Sequence, residues 1–340
     1  MKQAVMTEAG AIEFHDVVKP VIKDNEVLLR VERIGICGTD IHVYHGKHPF
    51  TSFPVVQGHE FSATVVDVGS AVKSVRPHMR VTARPQLVCG RCGPCRRGDY
   101  HICDHLKVTG FQAPGCAQEY FVVSEDRIVK LADNLSFEQG AMIEPVAVAV
   151  HATSRATDLR GKNVVVCGAG TIGNFVAQAA KCRGAKSVLI TDMSAYRLDK
   201  AKQCGVDVVC NLSEENFADK AKQVFSDEGF SIAFEAVGVE AALDNAVQQI
   251  QKGGQVIVVG VYGDRPKVDM SVVGDRELSL VGTLMYKHED FEQAVAWLSS
   301  GKIVTDPLVT GHFDFKDYLE AYHYIEKQKD KTLKIMIDVH

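Results

Sequence analysis

The chain has 340 residues, 46% of them hydrophobic and 24% charged, with a formal net charge of −5. These are globular values, with length enough for two domains and a large core, and the mild negative charge gives no reason to expect nucleic acid or an anionic membrane as a partner. No apolar run approaches the roughly 18 residues of a membrane span and the start lacks a signal-peptide pattern, so the chain is expected in the cytoplasm, with its ten cysteines as metal ligands or buried thiols rather than disulfides.

Residues 1–34 hold short alternating apolar segments broken by Gly and Pro turns, which reads as antiparallel β structure. The stretch 35–60, GICGTDIHVYHGKHPFTSFPVVQGHE, follows. It carries Cys37, Thr39, His42 and then His59-Glu60. A thiolate, an imidazole and a carboxylate together suit zinc, and three protein ligands leave one position open for chemistry. Thr39 and His42 are spaced for a proton wire, the hydroxyl touching a substrate oxygen and the imidazole passing the proton to solvent. Strands are expected at 60–69, 81–85 and 119–123. Between them Cys89, Cys92, Cys95 and Cys103 form a CxxCxxCx₇C cluster in a Gly/Pro-rich loop. That spacing suits a closed tetrahedral zinc site, with an iron–sulfur cluster or free thiols as the other possibilities.

From residue 138 the pattern changes. Residues 138–156 read as a helix interrupted by Pro145, with Glu144 a candidate further ligand. Strands at 163–167, 187–191, 206–209, 232–235, 256–260 and 278–281 then alternate with helices such as 172–182 and 195–203, as in a parallel sheet with right-handed crossovers. Gly168-Ala169-Gly170-Thr171-Ile172-Gly173 closes the first strand and opens a helix. This is the dinucleotide fingerprint: the glycines permit the turn and close approach of a pyrophosphate, and the helix N-terminus meets it with free N–H groups. Asp192 closes the second strand where a ribose-binding carboxylate belongs, favouring NAD over NADP, while Arg197 nearby is the residue type that serves a 2′-phosphate. Helices at 289–300 and 315–327 precede a strand at 333–337 that is expected to return to the N-terminal β domain.

GICGTDIH, GHE, the four-cysteine lobe, IEP, VVVCGAGTIG and TDMSAYRL together resemble the zinc-dependent medium-chain alcohol dehydrogenases, and within them the polyol and sugar-acid branch that includes sorbitol dehydrogenase. The resemblance implies an α/β chain: a GroES-like, mostly-β catalytic domain from 1–146 and 286–340, and a Rossmann doubly wound parallel sheet from 147–285. It implies Cys37 and His59 as zinc ligands, Glu60 and Glu144 as carboxylates that bind zinc or exchange with its water, and one catalytic and one structural zinc per chain. It also implies a homotetramer or homodimer built through the nucleotide-binding domains. The expected activity is NAD-dependent oxidation of a secondary alcohol of a polyol or sugar acid, with threonine 3-dehydrogenase and a non-enzymatic NAD sensor as alternatives. Two departures bear on the substrate: sorbitol dehydrogenases commonly have Tyr after the wire histidine and an Arg-Tyr pair late in the nucleotide-binding domain, where this chain has Val43 and Met285-Tyr286. Tyr44, His45, His48, Phe50 and Tyr286 are candidate pocket walls.

Overall fold

The computed structural model describes all residues from 1 to 340. It divides into two compact units, Met1–Glu144 with Lys287–Ser299 and Val309–His340, and Pro145–Tyr286 with Ser300–Leu308. Residues 300–308, expected with the first unit, cluster with the second. No helix is long and apolar enough to cross a membrane.

The first unit is mostly β. Its spine is Glu26–Ile36, an eleven-residue strand rich in Val, Leu and Ile whose Val27, Leu29, Val31 and Ile34 are fully buried. The strand is long because three others pair with it: Lys334–Asp338, Glu60–Val68 and Tyr120–Ser124, all antiparallel. The sheet runs Val309–Asp314, Lys334–Asp338, Glu26–Ile36, Glu60–Val68, Arg80–Ala83, Ile128–Lys130. The tail strand does return to the N-terminal β unit. Register decides what meets at one end of the sheet: Gly35 stands opposite Glu60 on one side and opposite Met336 on the other. Residues just beyond Ile36, just before Glu60 and just before Ile335 are thereby brought side by side.

The second unit is a six-stranded parallel sheet in the order Val208–Asn211, Ser187–Asp192, Asn163–Cys167, Ile232–Glu235, Gln255–Val258, Ser279–Gly282. Numbered along this unit the order is 3-2-1-4-5-6, the doubly wound arrangement whose strand ends open a crevice beside the first strand. Its central strands are buried on both faces, hence the unbroken apolar runs.

Three elements differ from expectation. The third parallel strand is Val208–Asn211 rather than 206–209, because the Asp207 carboxylate accepts the Val188 N–H at 2.9 Å and pairs with Lys181, so that residue serves the turn. The helix at 138–156 is two helices, Phe137–Ala141 and Ile143–Arg155, broken at Met142. Pro145 lies in the first turn of the second helix, where its missing N–H costs no hydrogen bond. A short helix, Gly38–Tyr44, also occupies a stretch without helical periodicity.

Candidate metal centres and nucleotide site

Cys37 caps the helix Gly38–Tyr44 directly after the spine strand, and His59 precedes the strand Glu60–Val68. The sheet register makes them neighbours, and the ligand atoms of Cys37, His59 and Glu60 lie within 4.8 Å of one another. The Glu60 carboxylate occupies the space where a Cβ on Gly35 would stand, so only glycine fits there. The same carboxylate is paired with the ammonium of Lys334, which also donates to the Ile36 carbonyl at 3.1 Å. Asp40 accepts the Cys37 N–H at 2.9 Å with one oxygen and presents the other to His59 Nδ1 at 3.7 Å. At that separation the two groups attract by charge, and neither this oxygen nor Nδ1 makes a hydrogen bond. Tyr322 donates to Gln57, whose amide donates to the Asp40 carbonyl, so the helix start is braced from the core.

The electrostatics favour a cation here. Burial opposes a charged imidazole at His59, but Asp40, Cys37 and Glu144 outweigh it and raise its pKa well above the ordinary histidine value. Burial likewise opposes the charge on Lys334, and Glu60, Cys37 and Glu144 overcome it. A thiolate donor, an imidazole and a carboxylate converging where the field attracts positive charge fit zinc.

Thr39 and His42 lie on the helix Gly38–Tyr44, the first half-buried and the second exposed. Glu144 is buried in the first turn of Ile143–Arg155 and acts on His59 and Lys334 through its charge, but it stands outside the triad of converged ligand atoms. Of the candidate pocket walls, Tyr44 is in the core against Tyr322, with ring centroids 4.8 Å apart. His45 is exposed beside Glu326, Phe50 is exposed, and Tyr286 is fully buried in the second unit. His48 stacks on Phe111, whose ring centroid lies 5.0 Å from that of His59. Sequence reasoning missed Phe111, Asp40 and Lys334. Lys334 did carry a signal, a lysine inside the apolar run Leu333-Lys334-Ile335-Met336-Ile337, where an unpaired charge has no place.

The second cluster is local. The sulfurs of Cys89, Cys92, Cys95 and Cys103 lie within 4.8 Å of one another, on a loop with a four-residue helix, Gly93–Arg96. The Cys92 and Cys103 sulfurs are 3.8 Å apart, the separation that zinc–sulfur bonds of about 2.3 Å give in a tetrahedron. The Cys89 and His105 N–H groups donate to the Cys103 sulfur, each at 3.3 Å. N–H groups of Arg91 and Cys92 pull the Cys89 thiol down to about 6, while burial and the neighbouring thiols push Cys95 up to about 12. Four crowded sulfurs share their protons unevenly, and a divalent metal lets all four ionise. The lobe is tied to a distant segment: Lys287 pairs with Asp99 at 3.1 Å and the His288 N–H donates to the Tyr100 hydroxyl at 2.6 Å.

In the second unit Gly168 takes φ +99° after the first strand, and Gly173 packs on the Gly168 carbonyl where a Cβ would collide. Gly170 caps the helix Thr171–Cys182, whose first-turn N–H groups point out of its N-terminal end. Asp192 ends the second strand and accepts the Ala169 and Ser194 N–H groups at 2.8 and 2.9 Å, so its carboxylate has one fixed orientation. Gly168, Asp192, Arg197 and Val237 line a cavity of about 200 Å³.

Residues 23–133 match the family model of the alcohol dehydrogenase GroES-like domain, and residues 171–300 that of the zinc-binding dehydrogenases. The chain is 30% identical to sorbitol dehydrogenase of Bacillus subtilis (strain 168), over 99% of this chain and 97% of that one. It is 34% identical to L-threonine 3-dehydrogenase of Rhizobium etli (strain CIAT 652), over 94% and 95%. The chain belongs to the zinc-binding alcohol dehydrogenase family. Its solved structural relatives include galactitol-1-phosphate dehydrogenase from Escherichia coli, at TM-score 0.92, 28% identity and full coverage of both chains (100% each). A zinc-binding dehydrogenase from Sinorhizobium meliloti 1021 bound to NADP aligns with TM-score 0.90 and 25% identity over 99% of both chains. This alcohol dehydrogenase therefore takes a nicotinamide dinucleotide and a small-molecule substrate, and its fold is the GroES-like unit plus Rossmann-like sheet that the sequence implied.

Proposed function

We propose that this alcohol dehydrogenase transfers a hydride from a secondary alcohol of a polyol or sugar acid to NAD. The observation that carries the reading is the convergence of Cys37, His59 and Glu60 beside the helix that bears Thr39 and His42. Cys37 and His59 would hold the catalytic zinc, with Glu60 and, through its charge, Glu144 as the associated carboxylates. Cys89, Cys92, Cys95 and Cys103 would hold the structural zinc. Zinc, when bound, lowers the pKa of the substrate hydroxyl, and NAD accepts the hydride. Thr39 would accept the hydroxyl proton while passing its own on toward His42, which, exposed on the same helix, releases a proton to water. The Asp40 carboxylate attracts His59 from one side, and the Phe111 ring packs against it from another.

In the second unit the N–H groups at Gly170, Thr171, Ile172 and Gly173 would bind the pyrophosphate, and Asp192 the adenosine ribose. Asp192 carries a fixed negative charge toward the cavity, which repels a 2′-phosphate; Arg197 in the same wall is the opposing influence. The identity to an L-threonine 3-dehydrogenase supports a second reading, oxidation of the threonine hydroxyl. A panel of polyols, sugar acids and threonine, each with NAD and with NADP, followed at 340 nm beside a metal count, separates them. Turnover of a polyol or sugar acid with NAD and about two zincs per chain is expected. Turnover of threonine alone overturns the polyol assignment, and no turnover of any of them despite two zincs overturns it as well and raises the reading of a non-enzymatic NAD sensor.

We further propose a homodimer or homotetramer joined through the nucleotide-binding units, because the strand Ser279–Gly282 ends its sheet with one unpaired and largely exposed edge. Ten cysteines, five of them as zinc ligands and the rest as thiols, suit a reducing, cytoplasmic setting.

A further inference from the structure

At the end of the fourth parallel strand, Ile232–Glu235, stands a carboxylate that the proposed reaction does not use. Glu235 is fully buried, and its three hydrogen-bond donors include no cation. One oxygen accepts the Val237 and Gly238 N–H groups, each at 2.8 Å. The other accepts the Tyr262 hydroxyl at 2.8 Å. The Glu235 backbone carbonyl accepts the Val259 and Gly260 N–H groups, also at 2.8 Å each. One residue thus fastens the loop after its own strand to the loop after the next strand, Gln255–Val258. A buried carboxylate is costly unless several donors meet it, so the arrangement holds only while the turn 236–238 keeps its N–H groups aimed inward.

What that turn presents outward is an apolar wall. Val237 and Val239 are 47% and 48% exposed, unusual for valines beside so buried an anchor, and both line the cavity that holds Gly168 and Asp192. Val237 approaches Gly168 so closely that a Cβ on the glycine would stand 2.7 Å from its methyl carbon. The turn therefore fixes the width of the cavity at the glycine loop. The second loop is equally tight, since a Cβ on Gly260 would lie 2.7 Å from the Glu235 carboxylate.

We propose that Glu235 and Tyr262 are positioning residues for the dinucleotide: together they hold the turn 236–239 as a preformed wall of the nucleotide cavity, so cofactor affinity depends on the Tyr262 hydroxyl although it lies behind that wall. The inference rests on the nucleotide reading of this cavity. Without the hydroxyl, one carboxylate oxygen is left buried and unmet, and the turn relaxes to find it another partner. The wall is then no longer prepaid in the free protein, and binding must reorder it.

The test is titration of zinc-loaded wild type, Tyr262→Phe and Glu235→Gln with NADH, followed by nicotinamide fluorescence, together with steady-state kinetics and deuterium exchange of the peptide spanning 236–241. Tyr262→Phe is expected to raise the Kd for NADH roughly tenfold, the size of one hydrogen bond to a charged acceptor, to raise KM for NAD in parallel, and to leave kcat at saturating NAD undiminished. Exchange in 236–241 is expected to quicken. Glu235→Gln, whose amide oxygen still accepts the two N–H groups and whose NH₂ can donate to the Tyr262 oxygen, is expected to stay within about threefold of wild type. A Tyr262→Phe protein with lower Tm but wild-type Kd and exchange makes the tie merely structural and overturns the proposal. Wild-type protein that fails to bind NADH removes the nucleotide reading and this inference with it, whereas tight wild-type binding matched by Tyr262→Phe removes the inference alone.

Discussion

Cys89 and Cys103, the ends of the four-cysteine cluster, are 14 positions apart, whereas Cys37, Glu60 and Lys334 come from the end of one strand and from two others, with Lys334 and Glu60 separated by 274 positions. The four-cysteine lobe is made by its own loop: glycine and proline bend the chain and backbone N–H groups face the sulfurs. The Cys37 centre is made by sheet register, and its neighbours, Asp40, Lys334 and Phe111, hold the ligands from outside. The lobe offers four like donors, which close a tetrahedral site and leave no position for a substrate. The other centre offers unlike donors, a buried cation on one carboxylate, and a hydroxyl and an imidazole on the adjoining helix. The difference separates a metal that holds a loop from a metal that does chemistry.

Three substitutions push on that contrast. Cys37→Ser should lower turnover by more than about a thousandfold, the several kcal/mol that a misplaced Lewis acid forfeits, while NADH fluorescence titration gives a wild-type Kd. Retained turnover in a protein assayed to lack zinc at this centre would break the assignment. Lys334→Met leaves Glu60 buried without its cation, which should cost the metal-free protein about 3 kcal/mol in urea unfolding. The zinc-loaded protein should lose less, because the metal can answer the same carboxylate; equal losses in both forms would show that Glu60 and the metal do not share charge. Cys103→Ser should reduce bound zinc from two per chain to one and lower Tm by roughly 5 °C. Turnover below the new Tm should stay within roughly threefold, and a loss as large as that of Cys37→Ser would erase the distinction between the two centres.

The same contrast explains what could be read from the amino-acid order. The cysteine lobe and the glycine turn at 168–173 are local devices, so spacing alone exposes them. The alternation of strands and helices in the second unit follows from unbroken apolar runs that only a sheet covered on both faces would bury. Lys334 and Phe111 were invisible as site neighbours because register and loop packing, rather than spacing, deliver them to His59 and Glu60. Tyr44 misled for the opposite reason. Its place beside the wire histidine pointed to the pocket, but the helix Gly38–Tyr44 turns it inward onto Tyr322. The break at Met142 escaped notice because Pro145 looked like the stronger breaker, and a proline in a first turn breaks nothing.

The pairing of Lys334 with the carbonyl of Ile36, 298 residues away, has a consequence for biosynthesis. The spine strand and its partner Lys334–Asp338 bracket the whole of Pro145–Tyr286 in the chain, so a ribosome must deliver the nucleotide-binding unit before the first sheet can close. The parallel sheet can assemble from neighbouring segments while translation continues; the β unit waits, its sheet edge beside Ile36 open and Glu60 without its counterion. Long-range closure of this kind is slow and leaves exposed edges meanwhile. Nascent chains of this enzyme are therefore most exposed to aggregation late in synthesis, and zinc that reaches Cys37 and His59 early would be held there before Lys334 has arrived.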